Sequence, residues 1–83
     1  MSAATAKQQI LESADYAYSF DRRSYINRNA RKVFSLEFID DHDEKELQKC
    51  IEEPAPAPGE WRFYFNSPIS ESVKRELYAI LGQ

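Results

Sequence analysis

Glycine is nearly missing from this chain: Gly59 and Gly82 are the only two in 83 residues. A loop that wraps phosphates needs several closely spaced glycines, so nucleotide chemistry of that kind is excluded. Cysteine occurs once, at Cys50, which rules out an internal disulfide framework. Histidine also occurs once, at His42, eight positions before Cys50. On one helix that separation is roughly 12 Å, too far for both side chains to hold one ion. No run approaches the ~20 apolar residues that a membrane-spanning helix needs. The opening stretch Met1 to Ile10 carries Lys7, Gln8 and Gln9 where a secretory leader would be apolar, so the expected location is the cytoplasm.

What remains is enough for one fold. Five tyrosines, five phenylalanines and one tryptophan, within a 42% hydrophobic composition, can build a single core. At this length folding buries only ~60% of the surface that the unfolded chain exposes, so residues 1–83 are expected to form one domain of modest stability.

The charges are sorted along the chain. Between Arg22 and Lys32 stand Arg22, Arg23, Arg28, Arg31 and Lys32 with no acid, a formal +5. Between Asp40 and Glu53 stand seven carboxylates and two lysines, a formal −5. The overall charge of −3 therefore hides two opposed local fields, each able to orient a partner.

Hydrophobic period divides the chain further. Ile10, Leu11 and Ala14 line one edge of an Ala, Gln and Lys-rich stretch, predicting a first helix over Ala4 to Ala14. From Tyr16 the period becomes two, with Tyr18 and Phe20 following, and this predicts a strand. Ser24 to Arg28 is expected as a second strand, with Asn29 and Ala30 as its turn. Phe34, Leu36 and Phe38 alternate with Ser35 and Glu37, predicting a third strand over Arg31 to Ile39. Asp41 with Glu44 fits a capping box at the start of a helix whose apolar stripe is Leu47, Cys50 and Ile51.

Pro54, Pro56 and Pro58 then predict a stiff extended connector. Trp61, Phe63 and Phe65 alternate as a fourth strand, with Glu37 and Arg62 paired across the sheet if the third and fourth strands are neighbours. Ser67 and Pro68 are expected to open a last helix that carries Ile69, Val73, Leu77, Ile80 and Leu81 and ends at Gly82. The expected architecture is an α+β domain in the order α-β-β-β-α-β-α. It has an antiparallel sheet of about four strands and helices packed on one face, where the aromatics of 34–38 and 61–65 meet the last helix.

Nothing here points to catalysis. The carboxylates of 40–44 lack the spaced oxygens and central glycine of a calcium loop and are better placed as helix caps, so no metal or cofactor is expected. Cys50 has no base beside it and fits a core thiol. The expectation is a non-enzymatic binding or accessory protein that uses a basic and aromatic hairpin surface: Arg22, Arg23, Tyr25, Arg28, Arg31 and Lys32, with Arg62 and Tyr64 outward on the sheet. An acidic protein partner suits those cations, since Tyr and Arg are the usual anchors of such sites. The alternative is single-stranded nucleic acid, held by arginines on phosphates with bases stacked on the aromatics. The oppositely charged segments also allow a weak homodimer in place of a monomer.

Overall fold

The computed structural model describes residues 4–81. The elements follow as α1 (Ala6–Leu11), β1 (Ala17–Ser19), β2 (Ser24–Asn27), β3 (Lys32–Ser35), α2 (Leu36–Asp41), α3 (Glu44–Glu52), β4 (Arg62–Tyr64) and α4 (Glu71–Leu81). They form a small α+β domain around one four-stranded sheet in the order β1-β2-β3-β4. Gly82, the expected end of the last helix, lies outside the described residues.

Two turns build the antiparallel half. Residues 20–23 join β1 to β2, and residues 28–31 join β2 to β3. Each turn takes a left-handed residue, but these are arginines, Arg23 (φ 49°) and Arg31 (φ 55°), and not Asn29. The asparagine that shapes the second turn is Asn27, whose Oδ1 accepts a hydrogen bond from the Ala30 amide.

The sheet is mixed, which corrects the expectation of an antiparallel one. β4 lies beside β3 but runs parallel to it, with Lys32 opposite Arg62, Val33 opposite Phe63 and Phe34 opposite Tyr64. A parallel neighbour needs a long crossover, and here two helices and the proline connector supply it. The extra helix, α2, occupies much of what the alternation of Phe34, Leu36 and Phe38 assigns to a strand. β3 stops at Ser35 because its side chain accepts the Phe38 amide and opens a helix, after which Leu36 and Ile39 fall one turn apart. The expected pairing of Glu37 with Arg62 is thereby lost, and the nearest carboxylate to Arg62 is Glu53 at 3.8 Å.

Helices cover both faces of the sheet, not one. Val33 and Phe34 are adjacent in sequence, point to opposite faces and are both buried, at 1% and 0% exposure. Phe34 belongs to a core with Ala6, Ile10, Ile39 and Leu47, which come from α1, α2 and α3. Val33 belongs to a second core with Ile26 and with Leu77 and Leu81 of α4, against which Trp61, Phe63 and Phe65 pack. Phe34 and Phe63 therefore lie on opposite sides, and the last helix covers only the second. α4 also begins later than Ser67: Ser70 Oγ accepts the Val73 amide, and Val73 and Ile80 remain 38% and 41% exposed.

Acids and bases hold the helix ends. Asp43 and Glu46 form the capping box of α3, two residues later than expected because α2 occupies the preceding segment. Glu44 reaches across to α1, where its carboxylate accepts the Ala6 amide at 2.6 Å and the Lys7 amide at 3.3 Å. A carboxylate there also meets the positive end of the helix dipole.

Candidate interaction surface

The cations of 22–32 do not gather into one patch. Arg22 and Arg23 sit at the turn between β1 and β2, and Arg28 and Arg31 at the turn between β2 and β3, at opposite ends of β2. Most are engaged inside the molecule. Arg22 donates to Glu76 of α4 at 2.7 Å. Arg28 donates to the Leu81 carbonyl at the end of α4 at 3.1 Å, where a cation complements the helix dipole. Arg31 binds the proline connector through the carbonyls of Pro56 and Glu60.

Lys32 is the most constrained of the set. It is 2% exposed, and its ammonium donates to the carbonyls of Cys50, Ile51 and Glu53 at 2.9, 2.9 and 2.7 Å. Those carbonyls belong to the last turn of α3 and to its C-cap residue Glu53, where no intrahelical donor satisfies them. Burial pushes the Lys32 ammonium below its usual value, with Glu53 opposing.

Tyr25 and Tyr64 share a sheet face with Phe34. Tyr25 packs on Tyr18 with centroids 4.8 Å apart, and Tyr64 stacks on Phe34 at 4.4 Å and 12°. Tyr64 is thus half-buried beneath the helices and does not point outward as expected; its hydroxyl donates to Glu53 at 3.3 Å, and burial raises its pKa. Arg62 is exposed beside the same Glu53.

His42 caps α2, its Nδ1 lying 2.8 Å from the Phe38 carbonyl, which fixes the proton on that nitrogen; its ring stacks on Phe38 at 3.8 Å. Burial raises the pKa of the half-buried Cys50 and favours its thiol form. Among the described residues no three His, Cys, Asp or Glu side chains converge as metal ligands.

Among the described residues Leu11, Val73, Tyr78 and Ile80 are about two-fifths exposed, and two larger apolar features stand beside them. Phe20, in the turn between β1 and β2, is 82% exposed, with Tyr18 behind it at 44% and Arg23 beside it. The alternation of Tyr16, Tyr18 and Phe20 assigned Phe20 to a strand, whereas the following Asp21, Arg22 and Arg23 place it in the turn. The second feature is a groove of about 500 Å³ between β4 and the start of α4, lined by Trp61, Phe63, Phe65, Pro68, Ile69 and Lys74 among others. No family model matches this chain, and neither a curated protein nor a solved structure does.

Proposed function

We propose that this domain is a cytoplasmic, non-enzymatic binding protein that engages an acidic protein partner through the turn between β1 and β2. The observation that carries this reading is Phe20: a large aromatic ring, 82% exposed, in a turn that also presents Asp21 and Arg23 to solvent and is closed by the Arg23 amide donating to the Phe20 carbonyl at 3.3 Å. Aromatic residues, phenylalanine among them, and arginine are enriched at protein interfaces, and arginine is frequent among the residues that carry most of the binding energy. The turn is also rigidly mounted, since the Arg23 carbonyl accepts the Leu36 amide at 2.9 Å and Arg22 is tied to α4. A preorganised contact loses less freedom on binding. Arg28, Arg31 and Lys32 already donate to carbonyls within the domain, which weighs toward a protein partner and against a phosphate chain.

A photoreactive residue at position 20 tests this. Crosslinks to acidic proteins are expected in cell extract, and Arg23→Glu should remove them while leaving the denaturation midpoint unchanged. A mixed-sequence single-stranded oligonucleotide should bind weakly at low salt and not at physiological salt. Tight oligonucleotide binding that survives physiological salt and is lost in Arg23→Ala would replace the protein reading with the nucleic-acid one.

A further inference from the structure

We propose that the β4 edge is a self-association surface that joins two copies of this chain through antiparallel β4–β4 pairing. Among the described residues, β3 is the only sheet neighbour of β4. The Arg62 amide donates inward to the Arg31 carbonyl at 2.9 Å. The parallel register therefore turns the backbone groups of Arg62 and Tyr64 toward β3 and those of Phe63 between them toward the open side, with Trp61 and Phe65 flanking the strand. A two-fold axis through Phe63 sets Phe63 opposite its own copy, where the two residues exchange a pair of backbone hydrogen bonds, and the ladder lengthens if the flanking Trp61 and Phe65 extend on pairing.

The side chains on both faces suit this register. On one face Trp61, Phe63 and Phe65 of each copy, which line the groove of about 500 Å³, meet as aromatic cross-strand pairs, a kind that stabilises a sheet. On the other face Arg62 stands opposite Tyr64 of the second copy, whose hydroxyl is bonded to Glu53. Arg62 and Glu53 are each about two-fifths exposed and only loosely paired at 3.8 Å within one chain. Two copies bring two arginines and two glutamates into an alternating cluster, so the charges are self-complementary.

The same operation on the other edge strand is repulsive. β1 runs only from Ala17 to Ser19 between two turns, and the exposed Asp15 and Asp21 lie in those turns, so a second copy added to this edge meets a carboxylate near each end of the pairing. The equivalent positions flanking β4 are Glu60 and Asn66, which carry no such conflict. One edge is therefore guarded against its own copy and the other is not.

Trp61 is the only tryptophan, so its emission reports on this edge directly. Sedimentation across roughly a 100-fold concentration range should take the protein from one chain to two, with a blue shift of Trp61 emission over the same range. Arg62→Glu faces Glu53 of the second copy and should weaken the dimer by at least about tenfold. The double exchange Glu53→Arg with Arg62→Glu restores the alternation and should restore the dimer. A wild-type protein that stays monomeric throughout overturns the proposal, whatever the variants do. So does a dimer whose Trp61 emission does not change, or one that Arg62→Glu leaves intact, since either places the contact elsewhere.

Discussion

Replacing Lys32 with methionine keeps most of the side-chain volume and removes only the ammonium, which makes it the cleanest test of how this domain is held together. The three carbonyls it serves lie in the last turn of α3 and at its C-cap residue, reached from β3 across the sheet. Hydrogen bonds from a charged donor contribute roughly 1.5 to 3 kcal/mol each, but drying an ammonium costs several kcal/mol, so the gain is not three full bonds. The loss on substitution is set by what is left behind. Methionine fills the site, since Lys32 is 2% exposed, and strands the carbonyls of Ile51 and Glu53 at about 1 kcal/mol apiece, while Cys50 keeps the Tyr64 hydroxyl at 3.4 Å.

A destabilisation of about 2 kcal/mol follows for Lys32→Met, which in a domain of this size lowers Tm by roughly 8 to 16 °C. Lys32→Arg should fall between the two, because a planar guanidinium cannot converge its donors on three acceptors as an ammonium does. Urea denaturation of the three proteins, followed by circular dichroism, is the assay. Equal midpoints for wild type and Lys32→Met would refute the reasoning. They would show that the ammonium's dehydration cancels its bonds and that α3 is positioned by Leu47 and its neighbours alone.

Two further outcomes are expected. Leu77 is 4% exposed and packs with Ile26, Val33 and Leu81, so Leu77→Ala should lower stability by roughly 2 to 5 kcal/mol in the same titration; an unchanged midpoint would make α4 peripheral. Burial raises the folded-state pKa of Tyr16, Cys50 and Tyr64 above unfolded values of 10.0 and 9.0, so the unfolded chain releases these protons first and stability should fall as pH rises beyond about 9. Lys32, whose pKa burial lowers, opposes this, because the unfolded chain holds that proton longer; Tyr64 carries the larger displacement, and Tyr64→Phe should flatten the decline in midpoints measured from pH 7 to 11.

The parts of the fold that were legible in the sequence are those where period and chemistry agree. The stripe of Leu47, Cys50 and Ile51, the pair Leu77 and Leu81, and the alternation around Phe63 each place an element near its observed position. The direction of β4 is not encoded locally, because it depends on how much chain the crossover from β3 uses. Burial of β3 on both faces is written only as the adjacent pair Val33 and Phe34, too short to tell from an alternating strand. Leu36 and Phe38 satisfy a two-residue period by coincidence, and the deciding signal is Ser35 as a helix cap. The basic segment was misleading in a different way. Its clustering in sequence reflects separate tasks, Arg22 pairing with Glu76 within α4 and Arg28 and Lys32 donating to the last carbonyls of α4 and α3, and nothing short of the tertiary arrangement shows this.

The two proposed surfaces lie at opposite edges of the same sheet, and this has a mechanical consequence. Pairing through β4 gives a continuous sheet of eight strands with β1 at each end, seven strand spacings or roughly 34 Å apart. Each end then carries one Phe20 and one Arg23, related by a two-fold axis. If both proposals hold, the proposed binding turn is single in the monomer and bivalent in the dimer, and the second contact then forms at the effective concentration set by the first. The gain requires partner sites spaced to match the rigid sheet, so a partner carrying one site should bind wild type and Arg62→Glu equally, while a partner carrying two should distinguish them. Rigid mounting of the turn is what makes that distinction sharp: Arg22 on Glu76 and the Leu36 amide on the Arg23 carbonyl leave the tip little freedom to reach for a mismatched second site.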